Sequence, residues 1–539
     1  MTLALVPLAV GALALSSAVL PAAGSAVTPS EVGAAPTVTP NPDHIATLSA
    51  VLQTMKANYP KFARQTPGPQ DVFDYNLGDL WLKGIDGTGT TIALVEGWDD
   101  PQINTVIHTF DARYGLPDPD IQTIFPSGNG ALPADCPAGM VALQSYGSCT
   151  AWMGELRLDV EAAHLIAPYA KILITATPAD SEITDDTPFQ VAMPELMQAV
   201  EFVSSHHLAD AMSISDGTGE STYSNLAQIR SQDPGPLTAA ANGVPVMVAT
   251  GDCGVVQNLA VANAQCGNTT TSPDTAAWDD SPWVTALGGS VPNVSATDGS
   301  KLGPDPVWHS GIFSEGAGFS SVYARPDYQN RVKGITDSGM RSVPDITADA
   351  QNGTSESAPE FAGILALAAQ LNHGSVGPIN DALYNVLGPQ GAKAGIADVV
   401  TGNDSAPTVP GFTATKGFDV ATGWGTVDAS KFVPALVKAV RDQHGNTPER
   451  QAADALSQLQ HGVQLTSTKV AAGQQSYLLA GGFIPLHPVD LEIDGNLVST
   501  LTANTLGSVT FQIDPTALTL AAGQHTITLH SMLLDESAK

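Results

Sequence analysis

One serine of this chain stands where a nucleophile would be well placed. Ser355 follows a Gly-Thr turn and precedes residues 357–371, a run rich in Ala and Leu that predicts a helix. Pro359 fits the first turn of that helix, where a proline gives up no hydrogen bond that the helix needs. The hydroxyl would then be exposed near the positive end of the helix dipole. The simpler alternative is that Ser355 is only an N-cap.

Two acids on a second predicted helix have the spacing to share or move a proton. Glu155 and Asp159 lie within 151–166, a helical run that Pro168 ends. Residues four apart on a helix are turned only about 40° from each other, so both carboxyls share one face. Like charges at this spacing destabilise an exposed helix by roughly 0.2–0.5 kcal/mol. The pair is therefore locally unfavourable unless it shares a proton or serves a site.

Asp252 is a third candidate acid, at the end of a predicted buried strand. Residues 244–250 are mostly apolar and run straight into a Gly-Asp turn. Sites in α/β sheets gather at the carboxyl ends of strands, which is where Asp252 would lie. The alternative is an aspartate that only stabilises an Asx-turn.

The elements that must position these residues alternate in type. Short apolar runs predict strands, and helical patterns lie between several of them. This alternation predicts an α/β fold, with a mostly parallel sheet covered by helices on both faces. The predicted strands are 90–95, 170–177, 210–215, 244–250 and 283–287, and the predicted helices are 43–59, 151–166, 195–205, 226–241 and a last helix from a capping Asp428 to about residue 444.

The C-terminal segment changes class. Polar residues predict a linker over 446–464. Beyond it, apolar and polar residues alternate, as at Val489, Leu491 and Ile493, and a turn is expected at 494–496. We therefore expect 465–539 to form a small antiparallel, immunoglobulin-like β-sandwich.

Composition narrows the range of partners. The chain has 539 residues, which exceeds one average domain. Its 53 Asp and Glu against 21 Lys and Arg give a net charge of −32, which argues against nucleic acid or anionic membrane surfaces as partners. This charge strains the folded state at neutral pH, and protonation in acid relieves the strain. An acidic surface that serves only solubility is the plainer explanation. We expect a monomer.

The first residues and the cysteines indicate export. Residues 1–26 are uncharged and end in small residues, as a cleavable signal peptide does, although the usual basic start is missing. A retained membrane anchor is the alternative, and no other stretch is long and apolar enough to span a bilayer. Two local cysteine pairs, Cys136 with Cys149 and Cys253 with Cys266, lack zinc spacing and predict two disulfides in a secreted protein.

Several motifs together resemble the sedolisin, or serine-carboxyl peptidase, family. Gly353-Thr-Ser355 before Ala358-Pro359, Glu155-x-x-x-Asp159 and Thr250-Gly-Asp252 occur in the order that this family shows. The resemblance covers about residues 70–444. Neither His-Gly-Thr-His nor Asp-Thr-Gly occurs, which excludes the ordinary subtilisin triad. Further matching segments are Gly84-x-Asp-Gly-x-Gly-x-Thr-Ile-Ala93, Ser213-Ile-Ser215, Gly318-Phe-Ser320 and Val343-Pro-Asp345.

The resemblance implies a subtilisin-like fold over 70–445 and a role for each candidate. Ser355 would attack the peptide carbonyl, Glu155 would accept its proton and later return it, and Asp159 would orient Glu155. Asp252 would donate a hydrogen bond to the oxyanion, which only the neutral acid can do. Carboxyl groups with pKa values near 4 hold this mixture of forms only in acid.

The resemblance also implies a calcium site near the end of the main domain. Two segments match the two halves of that site. An all-oxygen ligand set suits calcium, a hard cation. Two unrelated loop aspartates are the alternative. The implied ligands are Asp398 and Asp419, through carboxylates, and Val399, Thr415 and Gly417, through backbone carbonyls.

Three departures separate the chain from the usual family pattern. Only Gln351 and Asn352 stand where the family has roughly a hairpin before the serine, and Glu356 replaces a small residue. The N-terminal extension 27–69 is too short for the family's long propeptide. We predict a secreted, calcium-stabilised, acid-acting serine-carboxyl endopeptidase that cleaves proteins or peptides. The alternative, which the short segment motivates, is a catalytically impaired sedolisin-fold protein that acts as an extracellular binding module.

Overall fold

The computed structural model describes two compact units, 38–456 and 1–37 with 457–539. Of the predicted signal peptide, only Thr2–Leu5 is among the described residues, as a strand; the rest lies outside them. The described residues are 2–5, 37–63, 65–126, 149–177, 194–217, 219–222, 229–230, 232–257, 266, 272–333, 335, 338–461, 463–465, 469–470, 476–480, 488–503 and 509–531.

The described chain contains helices and strands in alternation, followed by strands alone. The helices are α1 (Pro42–Ala57), α2 (Tyr59–Phe62), α3 (Pro69–Asp74), α4 (Leu77–Trp81), α5 (Ile103–Tyr114), α6 (Cys149–Ile166), α7 (Pro194–Ser205), α8 (Pro234–Ala241), α9 (Thr354–Asn372), α10 (Asn380–Ala382), α11 (Gly388–Gln390), α12 (Ala429–Arg441) and α13 (Pro448–His461). The strands are β1 (Thr2–Leu5), β2 (Thr91–Gly97), β3 (Ile121–Ile124), β4 (Lys171–Thr177), β5 (Ala211–Ile214), β6 (Val246–Ala249), β7 (Thr285–Ser290), β8 (His309–Ser310), β9 (Phe313–Ser314), β10 (Gly318–Ala324), β11 (Met340–Val343), β12 (Ile346–Asp349), β13 (Ile396–Ala397), β14 (Thr426–Val427), β15 (Val463–Leu465), β16 (Ser476–Ala480), β17 (Pro488–Ile493), β18 (Asn496–Thr502), β19 (Val509–Ile513) and β20 (Gln524–Ser531).

A seven-stranded sheet forms the centre of the larger unit. Its strand order is β12-β7-β6-β5-β2-β4-β3, and every neighbouring pair is parallel. In this register Ile92 of β2 lies opposite Ile172 of β4 and Ala211 of β5. Because all seven strands end at the same edge, the residues that follow them are gathered there.

Successive side chains of β2 alternate between two cores. Ile92 and Leu94 pack in the core that also contains α6 and α9. Ala93 and Val95 pack in the core with α7 and α8. Both faces of the sheet are therefore buried, as in other parallel sheets. Glu96 continues the side of Ile92 and Leu94, so the alternation places it towards α6.

The predicted α/β fold with helices on both faces of a mostly parallel sheet is confirmed. Four predicted strands coincide with β2, β4, β5 and β6, whereas the strand expected at 283–287 begins two residues later as β7. Within the helix predicted at 226–241, residues 229–230 are helical, 232–233 form a turn and α8 follows from Pro234, so the described part is not one continuous helix. Two prolines and a glycine at 234–236 fit the first turn of a helix but not its interior. Residues 223–228 and 231 lie outside the described part.

Most of the predicted polar linker at 446–464 forms helix α13, and its role as a linker between domains stays a prediction. Ala452 is fully buried on this helix, and the surrounding Gln, Glu, Ala and Leu residues favour helix. The preceding helix α12 ends at Arg441, three residues before the predicted end. Asp428 occupies its N-cap position without capping it, since its carboxylate bonds Ser430 and Lys431 instead. The predicted domain boundaries at 70, 445 and 465 stay predictions.

The smaller unit contains two sheets that share one core. One sheet has the order β1-β20-β17-β18 and the other β15-β16-β19. Val489, Leu491 and Ile493 of β17 are buried, as their alternation with polar residues indicates. They pack with residues of β16, β19 and β20 in a single apolar cluster, which is the arrangement of a sandwich.

No helix within the described ranges combines the length and the apolar character needed to cross a bilayer.

Candidate active site

Ser355 lies in the first turn of α9, half-buried at the edge where the strands end. Gly353 precedes the helix with a φ of 96°, a conformation that favours glycine. A Cβ added to Gly353 would lie 2.6 Å from Asp252 Oδ2, so the glycine also allows a close approach. The turn therefore brings Ser355 beside Asp252.

Ser355 lies at the helix start as predicted, but Pro359 is the sixth residue of α9, so its predicted place in the first turn is wrong. The helix begins at Thr354 because the polar residues before the apolar run already take part in it. Proline has no N–H, so the carbonyl of Ser355, four residues earlier, lacks its helical partner. This carbonyl oxygen lies 3.1 Å from Ser215 Oγ and is the second, longer acceptor for its one hydroxyl proton, whose shorter bond goes to Asp159 Oδ2. The proline thus frees an acceptor that ties the end of β5 to the serine.

Glu155 and Asp159 lie one turn apart on α6, next to Ser355. Asp159 is fully buried, and Ser215 Oγ donates to its Oδ2 at 2.7 Å. Burial raises the pKa of Glu155 well above its ordinary value and Asp159 adds to this, whereas the Ser355 hydroxyl acts in the opposite direction. Ser355 Oγ itself makes a long hydrogen bond, 3.4 Å, to the carbonyl of Ser215. These four residues form one connected group.

Two more acids join this group, and the sequence analysis missed both. Glu96 is buried at the end of β2, and Asp216 follows β5. Burial raises the pKa of Glu96 well above its ordinary value and Glu155 adds to this, while a hydrogen bond with Asp159 lowers it. Burial and then the charge of Glu96 raise the pKa of Asp159. Burial also raises the pKa of Asp216 to about 7.

A signal for Glu96 and Asp216 was present in the sequence. Each stands directly at the end of an apolar run, where a strand of an α/β sheet reaches its carboxyl edge. Asp252 was predicted from the same position, at the carboxyl end of an apolar run.

Asp252 follows β6 and is bonded to the residue before the serine. Thr354 donates to Asp252 Oδ1 from its N–H at 2.8 Å and from its hydroxyl at 3.0 Å. Burial raises the pKa of Asp252, and these two bonds lower it. Because Oδ1 already accepts twice, Oδ2 is the oxygen on which the neutral acid carries its proton.

A disulfide holds the chain directly after Asp252. Cys253 and Cys266 are bonded, with Cα atoms 4.8 Å apart, which confirms one predicted pair. The other predicted pair, Cys136 with Cys149, lies outside the described residues because 127–148 is not among them.

The short segment before Ser355 folds into a compact turn. Gly353 N donates to the carbonyl of Ala350 at 2.9 Å, and Asn352 N donates to Glu356 Oε2 at 2.9 Å. Glu356 is fully buried, so its carboxyl does not lie in the open cleft beside the serine. Despite the missing hairpin, the segment leaves Ser355 next to the acids described above.

The five residues of the implied calcium site lie in two loops that come together. The charge of Asp398 acts on Asp419, and Gly417 N donates to Asp398 Oδ2 at 2.9 Å. In 398–425, all of which is described, no hydrogen bond ends on the carbonyl oxygens of Val399, Thr415 or Gly417. Two carboxylates and three free carbonyls are the oxygen donors that calcium prefers, so the residues fit this ion.

The chain is similar to known proteins in both sequence and fold. Kumamolisin of Bacillus sp. (strain MN-32) is 28% identical over 382 residues, which cover 66% of this chain and 61% of that protein. Sedolisin of Pseudomonas sp. (strain 101) is 28% identical over 263 residues, covering 44% of this chain and 42% of that protein. The chain thus spans about three fifths or less of the length of these relatives. No family model matches the chain.

Among solved structures, Pseudomonas sedolisin (serine-carboxyl proteinase), complexed with two molecules of pseudo-iodotyrostatin, is similar in fold. The TM-score is 0.55 at 21% identity, and the similarity covers 69% of this chain and 97% of that chain.

Proposed function

We propose that the chain is a member of the sedolisin family, to which its relatives in sequence and fold point, and that it hydrolyses peptide bonds as an acid-acting serine-carboxyl endopeptidase. One observation carries the proposal. A serine at a helix start lies beside two acids, the half-buried Glu155 and the buried Asp159, while a third acid, Asp252, is bonded to the residue before it.

In the proposed mechanism Ser355 Oγ attacks the carbonyl carbon of the scissile bond. Ionised Glu155 takes the hydroxyl proton as the new C–O bond forms, and it returns that proton to the leaving amine nitrogen. A water molecule then attacks the acyl-enzyme, losing its proton to Glu155, and Ser355 leaves with a proton. Asp159, which lies one turn further along α6, is proposed to orient the Glu155 carboxyl.

The neighbouring acids set the number of charges in this group. Glu96, Glu155, Asp159 and Asp216 face one another, so ionising one of them raises the pKa of the others. The hydroxyls of Ser355 and Ser215 favour the ionised forms of Glu155 and Asp159. In acid, the group is therefore proposed to hold one negative charge while its remaining members stay protonated.

Asp252 is proposed to stabilise the oxyanion of the tetrahedral intermediate. Only its neutral form can donate this bond. Since burial raises the pKa of Asp252, the proton is kept to a higher pH than on an ordinary aspartate, near 3.9. Activity should fall as the pH rises through this raised pKa.

We propose that calcium binds to Asp398, Asp419 and the carbonyls of Val399, Thr415 and Gly417. When bound, the ion would cross-link two loops, and it takes no part in the chemical steps. The disulfide Cys253–Cys266 supports an extracellular location, because such bonds persist in oxidising compartments. Proteins or peptides are the proposed substrates.

A peptidase assay with matched serine variants tests the proposal. Purified wild type, Ser355→Ala and Ser205→Ala are compared on a denatured protein at pH 3–5. Ser205 is an exposed serine at the end of α7 and serves as the control. We expect Ser355→Ala to lose at least about 10³-fold in kcat/KM and Ser205→Ala to keep full activity. Equal cleavage by wild type and Ser355→Ala contradicts the mechanism, and no cleavage by the wild type favours a binding module.

A further inference from the structure

A separate group of buried acids lies where α3, β12 and α9 meet. Asp71, Asp349 and Glu356 each place a carboxylate oxygen within 4.8 Å of the others. Glu360, one helical turn after Glu356, belongs to the same group, because the Tyr75 hydroxyl donates to Glu360 Oε2 and accepts from the N–H of Asp349. None of the four side chains is more than 1% exposed. We call these four residues the acidic chamber.

Three of these carboxylates are only half satisfied. Each accepts one short hydrogen bond from the surrounding protein through one oxygen, and its second oxygen is buried with no N–H or hydroxyl donor at hydrogen-bond distance. Asp71 also shares a hydrogen bond with the Asp349 carboxyl inside the chamber, and Thr66 and the Asp349 backbone act more weakly on Glu356 and Glu360. The bonds are Gly68 N to Asp71 Oδ2 at 2.7 Å, Asn352 N to Glu356 Oε2 at 2.9 Å and Tyr75 OH to Glu360 Oε2 at 2.7 Å. The unpartnered atoms are Asp71 Oδ1, Glu356 Oε1 and Glu360 Oε1.

The acidic chamber also lacks a compensating positive charge. Within the described ranges, no Lys, Arg or His is ion-paired or hydrogen-bonded to any of its four carboxyls. Asp349 receives only neutral donors, the side-chain amides of Gln70 and Gln351 and the backbone N–H of Gln351. A buried carboxylate without a partner is expensive, so something must neutralise these oxygens.

We propose that the acidic chamber binds a hard divalent cation of the calcium type through Asp71, Asp349 and Glu356. The fourth carboxyl, Glu360, supplies a further oxygen. Such ions take carboxylate oxygens at about 2.3–2.6 Å, so ligand oxygens on one ion lie at most about 5 Å apart. The spacing in the chamber meets this condition. The chamber shares no residue with the loops of Asp398 and Asp419.

A cation here would act on the segment that presents the serine. Glu356 directly follows Ser355, and Asp349 ends the strand before the short turn. Asp71 belongs to α3, near the start of the larger unit. An ion bound to all three would therefore fix the N-terminal helices, the turn and the start of α9 together.

Crystallography gives a direct test that needs no variant. Crystals of the full chain are soaked in Mn²⁺ at pH 7, and data are collected at a wavelength where manganese scatters anomalously. We expect a peak bonded to oxygens of Asp71, Asp349 and Glu356. A map without this peak overturns the proposal, whether or not manganese occupies the site of Asp398 and Asp419.

A binding experiment in solution distinguishes the acidic chamber from the proposed calcium site of Asp398 and Asp419. Asp419→Asn removes a ligand of the other site and is the background for all variants. The proteins are equilibrated with Ca²⁺ alone at pH 7, and we expect the background protein to bind one Ca²⁺ per chain. When Glu356→Gln is combined with the background substitution, we expect the Ca²⁺ affinity to fall at least about 10-fold. The control is Glu220→Gln, a buried glutamate whose two oxygens are both bonded, to Ser320 and Ser321.

If the Glu356→Gln variant does not fold, the Glu360→Gln variant is measured in its place. Unchanged Ca²⁺ affinity in the chamber variant overturns the proposal and assigns the neutralisation to protons. Because the readout is binding, this result is independent of whether the protein cleaves peptides.

Discussion

Thr354 donates twice to one oxygen of Asp252, which leaves the other oxygen to carry the proton that the proposed mechanism requires. An asparagine in place of Asp252 can reproduce the pattern, since its carbonyl oxygen accepts both bonds and its NH₂ stands where the protonated oxygen was. An alanine reproduces neither. Comparing the asparagine and alanine variants therefore separates the loss of the hydrogen-bond donor from the loss of the bonds that hold the turn.

We predict that Asp252→Ala lowers kcat by about 10²–10³-fold, because an oxyanion donor is lost. Asp252→Asn should keep more activity and should lose less of it as the pH rises, since an amide needs no proton to donate. The measurement is kcat between pH 3 and 7 for both variants. Identical profiles for the two would contradict the proposed role.

Glu96 provides a second prediction at this scale. After burial, its charge is the strongest influence that raises the pKa of Asp159, so Glu96→Gln should lower that pKa. The limb of the pH–rate profile that reports the Glu155 and Asp159 pair should move to lower pH. A stopped assay across pH 2–6 checks this, and an unmoved limb would show that Glu96 is not coupled to the reaction.

The residues of the site differ in how far their sequence reveals them. Ser355, Glu155, Asp159 and Asp252 stand in motifs with local signatures, and the structure brings them together, although their roles stay predictions. The coupling of Glu96 depends on which strand lies against α6, and no local spacing encodes that. Glu356 looked like an added charge beside the serine, but its burial follows from contacts with the distant α3.

At the scale of elements, α6 and α9 carry the acid pair and the serine, and a glycine of α9 lets the two packed helices approach closely. A Cβ on Gly363 would lie 2.7 Å from Ile166 Cβ. Gly154, an exposed glycine of α6, has nothing within 4 Å of an added Cβ and is a matched control.

Gly363→Ala should force the two helices apart, reducing the free energy of unfolding by about 1–3 kcal/mol. It should also lower kcat/KM, because the serine moves relative to Glu155. Gly154→Ala should leave the stability unchanged or raise it. Thermal unfolding and peptidase assays of both variants decide this, and equal behaviour of the two would refute the packing argument.

The loops of Asp398 and Asp419 lead to a prediction about calcium. A ligand that binds only the folded state, present at 100 times its Kd, stabilises by about 2.7 kcal/mol. Calcium should therefore raise Tm in the wild type, and by less in Asp419→Asn. Asp442→Asn, at an exposed position of a surface pair, is the control. An equal rise in wild type and Asp419→Asn would argue against the site.

Some element boundaries could not be predicted, for identifiable reasons. Helix α9 extends back to Thr354 because Asp252 and Ser215 accept and supply hydrogen bonds that stabilise its first turn. Residues 448–461 looked like a linker because they are polar, although their intrinsic preference is helical. Strands were predicted best, since each is a short buried apolar run.

At the scale of the whole molecule, many buried acids hold their protons more tightly than free acids do. Burial raises the pKa of Asp233 to about 6 and that of Asp274 to about 6, and the pKa of Asp216 reaches about 7. In the unfolded chain these groups ionise near pH 4. The folded state therefore binds more protons between about pH 4 and 7, and its stability decreases as the pH rises through this range.

We predict a higher Tm at pH 4 than at pH 7.5, measured in the presence of EDTA so that metal binding does not contribute. The repulsion expected from a net charge of −32 acts in the same direction. Calorimetry across pH 3–8 tests this. A Tm that rises towards neutral pH would contradict the protonation states described above.

The overall architecture was predictable as a class and not as an arrangement. Alternating strands and helices indicated a parallel sheet, and the later alternation of single residues indicated a sandwich. The order β12-β7-β6-β5-β2-β4-β3 depends on which strands pair across long separations, and the pattern of apolar residues is nearly the same in each strand.

The contact between Gly363 of α9 and Ile166 of α6 sets how closely the two helices pack, and Ser355 and Glu155 meet further along the same two helices. Ser355 lies eight residues from it along α9, an arm of about 12 Å, and Glu155 lies eleven residues from it along α6, about 16 Å. Tilting α9 by roughly 5° about this contact would displace the Ser355 hydroxyl by about 1 Å, a misplacement that can slow a reaction about 10²-fold. A change that widens this contact, far from the cleft, would therefore slow turnover without altering any group that meets the substrate.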